Sequence, residues 1–197
     1  KRSRLYIYEN TGQAPRLLTD YYISQGKSGI NKLKEGDQRT PVGIYYITSR
    51  LAGTKLPDFY GPGALPINYP NEWDKINGRS GSGIWLHGVS SETFSRPPLA
   101  SDGCVVLANQ DFLSISAMID IGKTPIIISE QVEFVDKIKW NSDKKNASKL
   151  LEDWRTDLES MNANRLLANY SRNFKTLQGD NVNVWLLKQH QTLDGLH

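Results

Sequence analysis

The sequence contains a single cysteine, Cys104, among its 197 residues. One cysteine excludes an internal disulfide framework and a cysteine-rich metal site, because each of these needs at least two thiols. A lone cysteine is often no more than a small buried apolar residue. The residues around Cys104 therefore decide whether it is structural or reactive.

Long hydrophobic runs are also absent from the chain. No apolar stretch approaches the ~20 residues that are needed to span a bilayer. Lys1-Arg2-Ser3-Arg4 leads directly into strand-like sequence, so we expect that any export signal has been removed or was never there. The net charge of +3 is small and scattered, which argues against a nucleic-acid-binding protein.

Short apolar segments dominate the first ~130 residues and predict a mainly β domain with one clear helix. The predicted strands cover residues 4–8, 17–24, 43–48, 84–87, 104–107 and 124–129. We expect Asn109 to cap the helix at its start and Gly122 to stop it. Residues 51–83 are rich in glycine and proline without periodicity, which predicts a long substrate-binding loop.

The pattern changes after residue 132. Apolar residues recur at helical spacing from Ala147 to Met161 and again from Leu167 to Leu177, with a predicted break at residues 162–164. We interpret this stripe as packing, and residues 182–187 as a possible strand. The sequence therefore predicts two domains, covering residues 1–132 and 133–197.

The chemically informative residues lie in two short blocks, His87-Gly88 and Ser101-Asp102-Gly103-Cys104-Val105. A thiol with a pKa near 8.5 is only about 3% ionised at neutral pH, so a nucleophilic cysteine needs a base or a cation beside it. Because His87 and Cys104 both lie at ends of predicted strands, and a loop can join neighbouring strand ends, His87 can approach Cys104 and act as that base. The order of His before Cys is the reverse of that in papain-like proteases, and the Gln-Ala-Cys-x-Gly block of caspases is absent.

Each glycine in these blocks has an expected role. Gly103 allows a turn in which its own N–H and that of Cys104 form an oxyanion hole. The carbonyl group of Gly88 is expected to accept the Nδ1–H of His87 and so fix the imidazole tautomer.

The two blocks together resemble the signature of the L,D-transpeptidase (YkuD-type) catalytic domain, in which His-Gly precedes a Ser-His-Gly-Cys block. The stretch from Gly36 to Tyr45, with Thr40-Pro41-Val42-Gly43, is similar to that family's Thr-Pro-x-Gly hairpin. The stretch from Tyr60 to Asn71, with the later segment from Trp154 to Phe174, resembles one branch of the family. In that branch an NTF2-like domain follows the catalytic domain, and its members include cell-shape-determining L,D-carboxypeptidases.

This resemblance implies a β-sandwich-like YkuD domain followed by a helical segment that begins an NTF2-like α+β domain. It implies a cysteine enzyme that cleaves the bond between meso-diaminopimelate and D-Ala in peptidoglycan tetrapeptides, with no metal or organic cofactor. The expected catalytic residues are Cys104, His87 and Gly88. Residues expected to contact the substrate are Ser101, Asp102, Tyr69, Trp85 and Arg79. A wall substrate in turn implies export to the cell envelope.

Two positions depart from the family pattern. The second histidine of the signature is Asp102 here, and the arginine often found two residues after the cysteine is Val106. An anion near Cys104 would raise the pKa of the thiol, so we expect Asp102 to point away or to contact a substrate amine. The carboxypeptidase-like branch tolerates a non-histidine residue at this position.

Three functions remain open at this point. An amine acceptor would make the protein a transpeptidase, whereas water would make it a carboxypeptidase that trims tetrapeptides to tripeptides. The third is an inactive module that only binds peptidoglycan. The sequence predicts stem peptides as the partner, and it leaves the oligomeric state open.

Overall fold

The structure, a computed structural model, describes residues 3–160, 163–176 and 178–194. The chain divides into two compact units, Lys1–Val132 and Glu133–His197. The mixed β and α architecture of the described residues confirms the predicted fold class. The elements of the first unit are β1 Arg4–Glu9, β2 Arg16–Tyr22, β3 Gln25–Gly26, β4 Gly43–Tyr46, β5 Leu51–Ala52, β6 Gly63–Pro66, α1 Glu72–Ile76, β7 Trp85–His87, β8 Leu99–Ser101, β9 Val105–Val106, α2 Asn109–Met118 and β10 Pro125–Ile128.

A four-stranded sheet in the order β5-β6-β7-β9 organises the first unit. Strand β6 is antiparallel to β5 and β7, whereas β7 and β9 are parallel neighbours. Three further pairs surround this sheet: the β1-β2 hairpin, the antiparallel pair β4-β10 and the short parallel pair β3-β8. The parallel pair β7-β9 matters most, because its strands carry the two sequence blocks singled out above.

Residues 51–83 are more regular than the sequence predicts. They form β5, β6 and α1 together with short 3-10 turns at Gly53–Lys55 and Asp58–Tyr60. Strand β6 is an inner strand of the sheet, and Ala64 and Leu65 have no exposed surface. A strand buried on both faces shows no alternation of polar and apolar residues, so its pattern does not reveal it. The prediction of one long loop is therefore wrong.

One hydrophobic cluster forms the core of this unit. Leu86 of β7 and Val105 of β9 pack in it together with Phe112 and Ile115 of α2. The predicted helix is present, but its N-cap is Ala108 rather than Asn109. The side chain of Asn109 is used elsewhere, because its Oδ1 accepts a hydrogen bond from the Val89 N–H at 2.8 Å.

The second unit contains three helices among its described residues: α3 Lys137–Glu159, α4 Ala163–Ala168 and α5 Val182–Asp194. Asp136 caps the start of helix α3, because its carboxylate accepts the Lys139 N–H at 2.8 Å. Leu150 and Leu151 are 65% and 66% exposed, so the prediction that this stripe is packed is wrong for them. Within the described residues, no helix is both long and apolar enough to cross a membrane.

The remaining predictions for this unit meet mixed outcomes. Helix α4 ends at Ala168, so the predicted helix across residues 167–177 is wrong beyond that point. Met161, Asn162 and Leu177 lie outside the described residues, and the other two residues of the predicted break, Ala163 and Asn164, begin α4. The assignment of this unit to an NTF2-like domain remains a prediction.

Residues 182–187 form helix, not the strand that their β-branched residues suggested. Asn181 Oδ1 accepts the Val184 N–H at 3.1 Å, which caps the first turn of α5. Trp185 then packs on the rings of Tyr170 and Phe174, at 5.2 and 5.6 Å between centroids. Capping and this aromatic contact outweigh the weak strand propensity of two valines.

Candidate active site

The register of β7 and β9 brings the two sequence blocks onto one face of the sheet. Leu86 is aligned with Val105 and His87 with Val106, so Cys104 lies one step before the strand, level with Trp85. Side chains alternate between the faces of a sheet, and Leu86 and Val105 point into the core. Cys104 and His87 therefore share the opposite face, as diagonal neighbours on adjacent strands.

The imidazole of His87 is held by its own neighbour. Nδ1 lies 2.6 Å from the carbonyl oxygen of Gly88. A carbonyl oxygen only accepts hydrogen bonds, so Nδ1 must carry the proton, and in the neutral ring Nε2 keeps a free lone pair. The ring is 1% exposed, and burial lowers the pKa of His87 to about 4 despite the hydrogen bond to Gly88. At neutral pH the imidazole is thus uncharged and competent as a base.

Cys104 is partly exposed, but its sulfur lies in a desolvated environment. Burial raises the pKa of the thiol, and nearby Asp102 raises it further, while a backbone hydrogen bond from Trp85 opposes this shift. The Sγ donates to the carbonyl oxygen of Gly83 at 3.4 Å. No hydrogen bond between this thiol and the imidazole is present among the described contacts. The resting pair is therefore a neutral thiol and a neutral imidazole.

The turn that carries Cys104 is fixed by two buried hydroxyl groups. Ser101 Oγ donates to the carbonyl oxygen of Cys104 at 2.6 Å and accepts the Gly103 N–H at 3.2 Å. Thr40 Oγ1 donates to the carbonyl oxygen of Gly103 at 2.9 Å. Ser101 is 3% exposed and Thr40 1% exposed. These contacts give Ser101 a role in holding the turn, and its predicted substrate contact remains a prediction.

The Gly103 N–H is consequently occupied, which alters the expected oxyanion hole. This N–H donates to Ser101 and cannot also serve an oxyanion in the same arrangement. Within the described part of the chain, the Cys104 N–H has no acceptor. At this turn the Cys104 N–H is therefore available to a developing negative charge, whereas the Gly103 N–H is not.

Gly88 occupies a position where a side chain does not fit. A Cβ built on this residue would lie 2.4 Å from Asn109 Oδ1 and 2.7 Å from Pro62 Cδ. The chain after His87 is pressed against α2 at this point, which sets the direction of the Gly88 carbonyl group. The need for glycine here is steric.

Two aromatic residues that the sequence did not single out lie against His87. The ring centroids of Tyr60 and Phe59 are 5.0 and 5.7 Å from that of His87, and Tyr60 also contacts Trp85 at 5.1 Å. Arg96 stacks on the ring of Phe59, with its Cζ 4.2 Å from the ring centroid. These contacts join segments that are far apart in the chain, so the sequence alone does not reveal them. The one local sign of them is the aromatic pair Phe59-Tyr60 within residues 51–83.

Among the described residues, the polar contacts of Tyr69 and Arg79 are with residues other than Cys104 and His87. Tyr69 is 6% exposed, belongs to the core cluster, and donates through its hydroxyl to Ser80 O at 3.0 Å. Arg79 donates to the carboxylate of Asp74 at 3.1 Å and to Val42 O at 3.2 Å. Asp74 is fully buried. The hydroxyl of Tyr69 and the guanidinium of Arg79, both expected to contact the substrate, thus already make hydrogen bonds within the fold.

Asp102 is held by two neighbours on the surface. Its Oδ1 accepts from Lys27 Nζ at 2.9 Å and from Gln38 Nε2 at 3.0 Å, and the side chain is 71% exposed. A substrate amine at this carboxylate would have to compete with both donors. Among the described residues, no three His, Cys, Asp or Glu side chains are grouped so as to hold a metal ion.

Comparisons with known proteins agree with this geometry. The family model for YkuD, described as the L,D-transpeptidase catalytic domain, matches residues 1–128. YafK of Escherichia coli (strain K12) is 28% identical over 107 residues, which cover 54% of this chain and 39% of YafK. The chain thus spans about two fifths of this curated relative.

Two solved structures are similar over 98% of this chain. Bd1075 of Bdellovibrio bacteriovorus is 31% identical with a TM-score of 0.80, and the match covers 67% of its chain. Pgp2 of Campylobacter jejuni, a helical cell shape determining protein, has a TM-score of 0.76 at 24% identity, with 66% of its chain covered. The family model spans more than half of the chain, and the likeness to Bd1075 extends over both units. The chain therefore belongs to the YkuD family of L,D-transpeptidase catalytic domains.

Proposed function

We propose that this protein is a peptidoglycan-modifying cysteine acyl-transfer enzyme. Its substrate would be the tetrapeptide stem, cleaved between the L-centre of meso-diaminopimelate and D-Ala. The observation that carries the proposal is the placement of Cys104 and His87 on one face, with Nδ1 of His87 held by Gly88. Family membership supports the substrate class, and a wall substrate would require the enzyme to act in the cell envelope.

Acylation starts from the neutral pair. The thiol gives up Gly83 O as its acceptor and turns to Nε2 of His87, which takes the proton as Sγ attacks the carbonyl carbon. Because the pKa of the thiol is raised and that of the imidazole is lowered, proton transfer accompanies attack rather than preceding it. The C–N bond then breaks, the imidazolium returns its proton to the leaving amine, and D-Ala departs from a Cys104 thioester.

The tetrahedral intermediate carries an oxyanion that needs a donor. In our proposal the Cys104 N–H supplies it, while the Gly103 N–H stays on Ser101 and keeps the turn rigid. One preorganised donor of this kind contributes about 3 kcal/mol of barrier lowering. Gly103 thus acts on the shape of the turn and not on the oxyanion.

The thioester is resolved by an amine or by water. Attack by the amine of a second stem gives a cross-link, which is the transpeptidase reaction and our first assignment. The alternative is hydrolysis to a tripeptide, the carboxypeptidase reaction, which the partial exposure of Cys104 favours because water can reach the thioester. The likeness in fold to a protein that determines helical cell shape suggests a role in cell shape for either reaction.

The test is incubation of the full chain with defined tetrapeptide muropeptides, followed by mass analysis of the products. A cross-linked dimer with free D-Ala supports the transpeptidase, and tripeptide alone supports the carboxypeptidase. Cys104→Ala should release no D-Ala, whereas Ser82→Ala, on the exposed loop nearby, should behave as the parent protein. Binding without any product would contradict the enzyme and favour the third possibility, an inactive peptidoglycan-binding module.

A further inference from the structure

Arg96 lies in the connection between β7 and β8 and reaches back to the site through Phe59. Its Cζ is 4.2 Å from the Phe59 ring centroid, and that ring is 5.7 Å from the imidazole of His87. One aromatic ring thus contacts both the guanidinium and the proposed base. Stacking on an aromatic face leaves the N–H edges of a guanidinium free to bind a planar anion.

The backbone around Arg96 is fixed on both sides. Its carbonyl oxygen accepts a hydrogen bond from the Tyr22 hydroxyl at 2.8 Å. Two prolines follow, and the carbonyl oxygen of Pro98 accepts the Gln25 N–H at 2.9 Å. Proline restricts the backbone, so the guanidinium starts from a preorganised main chain. A side chain held in this way loses little entropy when it binds a ligand.

Among the described residues, Arg96 stacks on Phe59 but forms no ion pair. In the part of the chain that the structure describes, no carboxylate lies within 4.0 Å of the guanidinium of Arg96. The ion pairs described for the first unit are made by lysines and by other arginines. The side chain is half-buried. A half-buried, unpaired guanidinium beside a reactive site is suited to bind an anionic group of the substrate.

The geometry of the leaving group identifies that anion. His87 must reach the nitrogen of the departing D-Ala in order to protonate it. The carboxylate carbon of this residue is two bonds from the nitrogen, at about 2.5 Å. The carboxylate therefore lies on the same side of the scissile bond as the imidazole, where the Phe59 ring and Arg96 are.

We propose that Arg96 binds the C-terminal carboxylate of the leaving D-alanine and restricts the enzyme to stems that end at this residue. The inference rests on the proposed function and adds a specificity-determining residue to it. A longer stem, or one with an amidated terminus, offers no carboxylate at this point. Arg96 is then the reason why the enzyme removes one terminal residue.

The test compares four tetrapeptides that differ in a single carboxyl group. One has all its carboxylates free. In each of the others one carboxyl group is amidated: that of the terminal D-Ala, the side-chain carboxyl group of diaminopimelate, or the α-carboxyl group of D-glutamate. For the parent protein we expect the terminal amide to lower kcat/KM by about 10- to 100-fold, in line with loss of a charged hydrogen-bonded pair, and the other amides to have little effect. Arg96→Gln should abolish this discrimination.

Two further variants sharpen the comparison. Arg96→Lys keeps the charge but loses the paired N–H edges, so it should retain an intermediate ratio. Arg16→Gln removes an exposed arginine that pairs with Glu9 on the β1-β2 hairpin, and it should keep the parent ratio. Thermal unfolding of each variant shows whether it is folded.

The outcomes separate this inference from the proposed function. If the parent cleaves the peptides but Arg96→Gln retains the same ratio, the role of Arg96 is overturned and the function stands. If Arg96→Gln instead abolishes the loss of kcat/KM that is caused by amidation of another carboxyl group, the assignment to D-Ala is wrong. If no peptide is cleaved, the function fails, and calorimetric affinities of the parent and Arg96→Gln for the same four peptides decide the role of Arg96. Equal affinities, or no binding, would overturn it.

Discussion

The hydroxyl of Thr40 donates a hydrogen bond to the carbonyl oxygen of Gly103, the residue before the proposed nucleophile, over 2.9 Å. The same hydroxyl accepts the N–H of Gly26 at 2.9 Å. One buried oxygen thus joins Gly26 of β3 to the turn that presents Cys104. Thr40 does not touch the substrate in our proposal, and it acts by positioning that turn.

Replacement of Thr40 by valine should therefore weaken both the fold and the reaction. Valine keeps the volume but leaves the Gly26 N–H and the Gly103 carbonyl group without this partner, at a cost of about 1–3 kcal/mol in the free energy of unfolding. We expect a fall in kcat with a smaller change in KM, and recovery of both by Thr40→Ser. Urea denaturation and steady-state kinetics measure these effects. Thr48→Val, at an exposed hydroxyl, is the matched control, and equal losses in the two valine variants would contradict the positioning role.

Gly103→Ala should be more damaging than its size suggests. Gly103 has φ +132°, and a Cβ there would lie 2.8 Å from Arg39 O and 2.9 Å from Ile84 Cδ1. Gly12 also has a positive φ, of +76°, but a Cβ there would meet no atom within 4 Å. We expect Gly12→Ala to lower the free energy of unfolding by about 1 kcal/mol through backbone strain alone, and Gly103→Ala to lower it further and to reduce turnover. A Gly103→Ala variant as stable and active as Gly12→Ala would show that the turn tolerates a side chain.

Stability should depend on pH through His87. Burial lowers the pKa of His87 from 6.5 to about 4 in the folded protein, so the unfolded chain binds the extra proton between these values. The free energy of unfolding should fall as the pH drops through this window, by about 3 kcal/mol when it is complete. His87→Gln cannot titrate and should show a shallower decline. Chemical denaturation of both proteins from pH 7 to pH 4 tests this, and parallel curves would refute the low pKa of His87.

The reactivity of the thiol should also report its surroundings. Because Cys104 is the only cysteine, alkylation by iodoacetamide reads this residue without interference. Burial raises the pKa of Cys104, so the rate should rise only above the pH range of an ordinary thiol. Arg96→Gln should shift this rise to higher pH, because Arg96 lowers the pKa. Asp102→Asn should shift it to lower pH, because Asp102 raises the pKa. Shifts of the same sign in both variants would contradict this electrostatic account.

Sequence reasoning reached the family and the fold class, because the His87-Gly88 and Gly103-Cys104 blocks are short local signals. The roles assigned to these residues remain predictions. Phe59 and Arg96 could not be found in this way, since nothing local to either residue indicates that they meet beside His87. Tyr69 and Arg79 were chosen from their position in an apparently irregular stretch. That stretch contains a buried strand and a capped helix. Arg79 binds Asp74 of this helix, and the Tyr69 hydroxyl donates to Ser80 O.

The proximity of two strand ends is the long-range feature that the sequence predicts, whereas the alignment of Cys104 with Trp85 follows from the register of β7 and β9. The sequence could not predict that α5 is a helix, because the cap at Asn181 and the packing of Trp185 on Tyr170 decide between helix and strand there. Nor could it have given the bond from the Gly103 N–H to Ser101, since a signature of residue types carries no information on which donors are occupied.

The parallel alignment of β7 with β9 separates what must be kept from what can vary during divergence or engineering. Deleting one residue within either strand would turn a reactive side chain to the opposite surface, because orientation alternates at every step. The segment from Ser90 to Ser95 lies outside both strands, so a change in its length leaves the alternation of side chains in β7 and β9 as it is.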